Sequence, residues 1–243
     1  MLNIKLLASG SKGNCYCLDD GTSRILLECG ITFKEIQKGL NFETSKLTGC
    51  LVTHSHQDHC KGAKTLLERG INIHTSKGTI EEMGMKNYRL KAVERDATKG
   101  DGTMFKQFRI GSWTILPFDA MHDTAEPVNF LLLSDHGYKV LFVTDSYYVK
   151  YNFAGITHYL VECNFDQQTI DENISNGKLH PAQRKRVMKS HMSLETLTVF
   201  FKSNDLSKCE EIFLLHLSDR NANRERIFNE VAKVTGKQIT IVG

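Results

Sequence analysis

Short apolar runs separated by glycine-rich turns fill the first two thirds of the chain, and amphipathic helical stretches fill most of the rest. Asn3–Ala8 reads as a strand that leads into the loop Ser9-Gly10-Ser11-Lys12-Gly13-Asn14. Cys15–Leu18 and Arg24–Glu28 flank Asp19-Asp20-Gly21, the pattern of a hairpin. Thr32 stands where an N-cap belongs and predicts a short helix through Leu40. Gly49–Thr53 reads as a buried strand, Lys61–Arg69 as a helix stopped by Gly70, Ile71–His74 as a strand and Thr79–Met85 as a short helix. After a turn at Gly100-Asp101-Gly102, strands are predicted at Phe105–Ile110 and Trp113–Phe118. Val128–Leu133 and Tyr138–Val143 form a hairpin pattern around Asp135-His136-Gly137, and His158–Glu162 is a further strand. Helices follow at Thr169–Ser175, Pro181–Lys189 and Ser193–Lys202, then a strand at Ile212–Leu215, a helix at Asn223–Val234 capped by Gly236, and a strand at Gln238–Val242.

Each half therefore runs from strands to helices, which predicts an α/β chain of the four-layer αββα sandwich type rather than a doubly wound sheet. No linker, charge block or repeat interrupts the 243 residues, so one domain over 1–243 is the simplest organisation. An apolar fraction of 40% with 24% charged residues excludes disorder, collagen and coiled coil as descriptions of the whole chain. A net charge of +3 is too small for a dedicated nucleic-acid coat, yet it suits an anionic substrate held at one site. The first apolar run is too short for a signal peptide, and no stretch approaches the length of a membrane span. The seven cysteines are odd in number and scattered, with no C-x-x-C pair, which implies a reducing, cytoplasmic setting. Cys15 and Cys17 fall on one face of a strand and read as core.

His54-Ser55-His56-Gln57-Asp58-His59 changes the picture, because four hard ligands fall within six residues directly after a buried strand. Such a run arises by chance in roughly one chain of this composition per thousand. His54 and His56 alternate across an extended turn and can reach one ion; Asp58 and His59, on the next turn, can reach a second. Imidazole with carboxylate suits Zn²⁺, Mn²⁺ or iron. His122, Asp145 and His216 share one grammar, an apolar run followed by a hard ligand, and complete a candidate set for two metals.

The order of His54, His56, Asp58, His59, His122, Asp145 and His216 resembles the metallo-β-lactamase superfamily, whose fold is the αββα sandwich with a two-metal site at its edge. Within it, the YycJ/WalJ-like branch is similar at Ala8–Asn14, Leu26-Leu27-Glu28-Cys29-Gly30, Thr53–His56, His122-Asp123 with Glu126-Pro127, Thr144-Asp145-Ser146, and His216-Leu217-Ser218 with Asn221. The resemblance spans essentially the whole chain. It implies one metal on His54, His56 and His122, another on Asp58, His59 and His216, and Asp145 bridging them. Glu28 departs from the pattern: the family usually has Asp there, bracing the histidine loop, and Glu is one methylene longer.

The function so implied is a two-metal phosphodiesterase with Zn or Mn, a DNA exonuclease in the first instance. Phosphodiesterase action on small cyclic nucleotides is the alternative, and thioester or lactam hydrolysis ranks lower. Asp58 counts as catalytic as well as ligating, and His191 is the candidate general acid, because nucleolytic relatives carry a histidine between the bridging Asp and the last metal His. Lys12 and Ser193 are candidate substrate contacts, Ser193 as the N-cap of a helix and Lys12 beside a loop able to form an anion nest. Arg184-Lys185-Arg186 and Lys189 form either a path for a nucleic-acid backbone or a solvated helix face. Tyr147, Tyr148 and Tyr151 read as core or surface packing residues in preference to a base-stacking role. His74, His136, His158 and His180 lack ligand context. Expected partners are a nucleic-acid or nucleotide substrate and no membrane; relatives often pair, which makes a homodimer a candidate.

Overall fold

The computed structural model describes residues 1–98 and 104–242; the turn expected at Gly100-Asp101-Gly102 lies outside the described residues. The chain forms two compact units, Met1–Asp119 with Thr124–Tyr138, and Ala120–Asp123 with Lys139–Gly243.

The first unit contains β1 (Asn3–Ala8), β2 (Cys15–Asp19), β3 (Arg24–Leu27), α1 (Phe33–Gly39), β4 (Leu47–Leu51), α2 (Gln57–Cys60), α3 (Ala63–Glu68), β5 (Ile73–Thr75), α4 (Lys77–Met83), β6 (Leu90–Ala92), β7 (Phe108–Ile110), β8 (Trp113–Asp119) and β9 (Val128–Ser134). A six-stranded sheet runs β1-β2-β3-β4-β5-β6. Its first three strands are antiparallel and its last four parallel. β7, β8 and β9 pair antiparallel. β2 is buried along almost its whole length, and Cys15, Cys17, Cys29, Cys50 and Cys60 pack with Leu26, Val52 and Ile73 in one apolar cluster. All seven cysteines are free and buried, as a set of core thiols should be.

Thr32 caps α1 with a reciprocal capping box to Glu35. β4 sits two residues earlier than Gly49–Thr53, and the cause is local. The ladder with β3 ends at the Leu27–Leu51 pair, after which the Thr53 N–H turns to the Glu28 carboxylate instead of a backbone carbonyl. β6 has no alternating pattern of its own and was not predicted; it exists through parallel pairing with β5. The strand expected at Phe105–Ile110 shortens to β7, with Phe105 making only an isolated bridge to Arg95. The turn after β9 closes as expected, with the Ser134 N–H donating to the Tyr138 carbonyl at 2.9 Å.

The second unit contains β10 (Lys139–Val143), β11 (His158–Glu162), α5 (Gln167–Ser175), α6 (Pro181–Ser190), α7 (Leu194–Ser203), β12 (Glu211–Leu215), α8 (Arg224–Thr235) and β13 (Gln238–Ile241). These strands are parallel in the order β13-β12-β11-β10. β11 is buried at every position, which a strand covered on both faces requires. Tyr159 of β11 meets Phe200 and Phe201 of α7 edge-on, at ring separations of 6.4 and 5.5 Å. α8 starts on an Asn223 cap and stops at Gly236, whose φ of 62° is the left-handed turn that favours glycine. Among the described residues, no helix is long and apolar enough to cross a membrane.

Candidate functional site

Within each unit, parallel strands place their carboxyl ends on one edge of their sheet, and hard side chains follow those ends. In the first unit β4 ends at Leu51, and the chain runs extended through Thr53 into His54–His59. The His54 Nδ1 pairs with the Thr53 hydroxyl at 2.9 Å, which leaves Nε2 facing the His56 Nδ1 at 3.1 Å. α2 then turns Asp58 and His59 together, with Asp58 Oδ2 3.4 Å from His59 Nε2. The rings of His54 and His59 lie 4.1 Å apart.

A rigid shell holds this loop. The Glu28 carboxylate is fully buried, accepts from the Thr53 N–H through both oxygens at 3.2 and 3.3 Å, and lies 3.6 Å from His59 Nδ1. The longer Glu thus still braces the histidine loop, from a backbone φ of 62°. Burial pushes its carboxyl pKa up, against the opposing pull of His59 and Thr53. Asn14 donates its side-chain amide to the Asp58 carbonyl and stands 3.2 Å from His59 Nε2. Gly30 passes so close to Asp58 that a Cβ there would stand 1.6 Å from its carbonyl oxygen.

In the second unit Asp145 follows β10, Glu162 ends β11 and His216 follows β12. Asp145 (φ 45°) and His216 (φ 56°) take left-handed backbone, like Glu28. A non-glycine residue there is strained by roughly 1–2 kcal/mol, and such strain gathers at functional sites. Asp145, Glu162, His191 and His216 offer ligand atoms all within 4.8 Å of one another. Glu162 is the hub of the group. Its Oε1 lies 2.7 Å from His191 Nδ1 and 3.2 Å from His216 Nδ1, and its Oε2 accepts the Ser146 and Met192 N–H groups. Asn164 stands 3.0 Å from the same edge of His216, so Nδ1 is the nitrogen that these neighbours orient. His122 donates Nδ1–H to the Ser190 carbonyl at 2.9 Å, and its Nε2 lies 3.7 Å from Asp145 Oδ2.

Burial pulls the His122 pKa down, which keeps the imidazole neutral, as a metal ligand must be. Burial also opposes the charged form of His191, but the carboxylates of Glu162 and Asp145 outweigh it and hold this histidine above its ordinary value. Imidazole nitrogens and carboxylate oxygens are the donors Zn²⁺ and Mn²⁺ take, so this His/Asp chemistry fits divalent metal binding.

The remaining expectations divide. Lys12 is exposed on its loop. Three N–H groups of that loop are bonded within the protein: Gly10 N–H donates to Asn14 Oδ1, Gly13 N–H to the Gly10 carbonyl and Asn14 N–H to the Asp58 carbonyl. Ser193 caps α7, its hydroxyl accepting from the Thr196 N–H. His191 is the C-cap of α6. His180 caps α6, His136 bonds Thr22, His158 bonds Thr157 and His74 stacks on Phe108, all structural. Glu162, Asn14 and Asn164 escaped the sequence reading. Glu162 obeys the same grammar as Asp145, an apolar run and then a hard side chain, and that signal was there to find.

A family model described as metallo-beta-lactamase superfamily matches residues 8–154. The chain is 29% identical over 230 residues to exodeoxyribonuclease WalJ of Streptococcus pneumoniae, covering 90% of this chain and 83% of that protein. It is 24% identical over 243 residues to exodeoxyribonuclease YycJ of Bacillus anthracis, covering 96% and 89%. Among solved structures it is similar to the metallo-beta-lactamase fold protein YhfI of Bacillus subtilis, with a TM-score of 0.72 at 15% identity, covering 99% of this chain and 96% of that one. That likeness shows the fold, and with it the α/β sandwich class expected from the sequence.

Proposed function

The chain belongs to the metallo-beta-lactamase superfamily and is a metal-dependent hydrolase, and from that premise we propose that it is a two-metal DNA exonuclease acting in the cytoplasm. The observation that carries the reading is that each unit sets hard donors just after its strand ends, His54, His56, Asp58 and His59 on one and Asp145 and His216, with His122, on the other. His54, His56 and His122 would hold one cation and Asp58, His59 and His216 a second, with Asp145 shared. Residues 1–243 would then act as one catalytic domain. The relatives' names favour a polynucleotide over a cyclic nucleotide, and the donor chemistry of Asp and His suits Zn²⁺ and Mn²⁺ equally.

When bound, the two cations supply Lewis acidity toward a phosphoryl oxygen and toward water. The chain's own residues do the rest. Glu162 accepts the Nδ1 proton of His191 and fixes its ring, so the opposite nitrogen, Nε2, carries the proton it can give. The His191 side chain is 21% exposed, open enough to meet a substrate. Its raised pKa keeps it protonated at higher pH, the state needed to hand a proton to a leaving alkoxide. Glu28 and Asn14 hold the first ligand loop in place, and Asn164 orients His216.

The test is a substrate screen with Mn²⁺ and with Zn²⁺ on end-labelled linear DNA, RNA and 3′,5′-cyclic mononucleotides. Progressive shortening of DNA without cyclic-nucleotide turnover is the expected result. Cyclic-nucleotide hydrolysis alone, or turnover of a thioester alone, replaces this reading with the corresponding hydrolase. Loss of activity in Asp58→Ala with the fold intact ties the reaction to the ligand loop.

A further inference from the structure

Tyr147 and Tyr148 directly follow the ligand-bearing turn at Asp145-Ser146, and both are exposed, at 40% and 50%. Of the two packing places the sequence left open, core or surface, these exposures leave the surface. A large aromatic side chain left in water twice in succession serves no core, and its place in the chain is held firmly. The Tyr147 N–H donates to the Met121 carbonyl at 3.2 Å, one residue before His122. Ser146 Oγ accepts from the Met121 N–H at 2.9 Å and donates to the Tyr148 carbonyl at 2.9 Å. The Ser146 N–H in turn is held by Glu162. The two tyrosines therefore rise from a backbone stitched to the residues that carry His122 and orient His191.

A second element meets the same cluster. α6 ends at Ser190, whose carbonyl accepts from His122 Nδ1, and the next residue is His191. Lys185, Arg186 and Lys189 are exposed on α6. Among the described residues they form no ion pair, whereas Arg184 is tied to Asp171 at 3.1 Å. Met188, between them, is exposed as well. Uncommitted cations and exposed apolar side chains, both joined within a few residues to the same histidines, have the chemistry of a single nucleic-acid strand: phosphates for the cations, base faces for the rings.

We propose that Tyr147 and Tyr148 form a stacking platform for unpaired bases at the end of a DNA strand, with Lys185, Arg186 and Lys189 holding its backbone. The proposal deepens the nuclease reading and rests on it. It makes the protein prefer frayed or single-stranded ends over blunt, fully paired ones, because a paired terminal base must leave its own stack first.

The experiment uses the full chain in EDTA, where no turnover occurs, and a single-stranded DNA oligonucleotide with 2-aminopurine at its terminal position. Binding is read by anisotropy of a dye at the far end, stacking by quenching of the 2-aminopurine. The wild type is expected to bind and quench. Tyr147→Ala/Tyr148→Ala should lose the quench and weaken binding roughly 5- to 150-fold, the range for one stacked base. Tyr147→Phe/Tyr148→Phe should retain both. Lys185→Ala/Arg186→Ala/Lys189→Ala should weaken binding with a shallower salt dependence while keeping the quench in the bound complex. Binding without quenching, or an unchanged affinity in the double alanine variant, overturns the platform. Failure of the wild type to bind the oligonucleotide overturns it too. In either case hydrolysis of linear DNA by the metal-loaded wild type, measured separately, shows whether the nuclease reading stands without it.

Discussion

Glu28 Oε1 lies 3.6 Å from Nδ1 of His59, and both side chains are fully buried. The same carboxylate takes the Thr53 N–H, so one side chain ties the end of β4 to the ligand loop. Glu28→Ala removes the acceptor and leaves a buried N–H without its bond, at a cost of about 1–3 kcal/mol. Loss of a residue that orients a ligand also weakens metal binding by roughly 10- to 100-fold. Chelator competition and urea denaturation measure the two effects. An Ala variant that binds Zn²⁺ as tightly as the wild type would show that Glu28 does not brace the site. Glu28→Gln, which keeps an acceptor for Thr53, should recover most of the stability.

His191 and Glu162 predict a split between two kinds of substrate. His191→Ala should lower kcat on DNA by roughly 100-fold or more, with little change in KM. The loss should nearly vanish on a nitrophenyl phosphodiester, whose leaving group needs no proton. The pH profile gives an independent reading. A proton donor works below its pKa, so activity falls as pH rises through that value. Glu162 helps hold the His191 pKa up, so Glu162→Gln should move the alkaline limb of kcat to lower pH. A limb that stays in place would assign it to another group.

The candidate donors were legible because hard side chains after apolar runs, as at His54, His122, Asp145 and His216, have few structural uses. What orients them was not. Asn14 meets Asp58 across 44 positions of sequence, and nothing local in either segment announces it. The left-handed turns at Glu28, Asp145 and His216 carry none of the Gly or Asn that usually marks them, since the side chain placed there is a brace or a candidate ligand. Strand positions came through wherever burial made a run continuous, as in β11, and failed where pairing alone makes the strand, as in β6. Tyr147 and Tyr148 follow an apolar strand, so pattern alone left core and surface packing both open, while the structure ends the buried run at Ser146.

Gly30 tests how tightly the ligand loop is seated. Its φ is not the issue; space is. An added Cβ would stand 1.6 Å from the Asp58 carbonyl oxygen and 2.8 Å from the Asn14 nitrogen, both backbone atoms. The two segments must separate, and overpacking of this kind costs on the order of 3 kcal/mol. Gly30→Ala is therefore expected to lose stability in urea and to lose metal affinity with it, because Asp58 rides on the displaced segment. A variant that unfolds at the wild-type urea concentration would mean the segments yield at no cost.

Asp20 predicts an acid limit on stability that is independent of any metal. Its carboxylate, nearly inaccessible to solvent, accepts from the hydroxyls of Ser112 and Ser134 and from the N–H groups of Thr22 and Ser23. Burial opposes the charge, but the hydrogen bonds from Ser112 and Ser134, with the backbone donors, outweigh it and bring the pKa down to about 2. A depressed carboxyl contributes stability above its unfolded value, near 4, and loses it as pH falls through the folded one. The linkage is worth about 2 kcal/mol. Asp20→Asn should lower the unfolding free energy by about that amount at neutral pH. The gap to the wild type should stay flat down to about pH 5 and close between about pH 4 and pH 2. Urea titrations across that range measure it, and a gap that does not close in acid would place the loss in packing rather than in the charge.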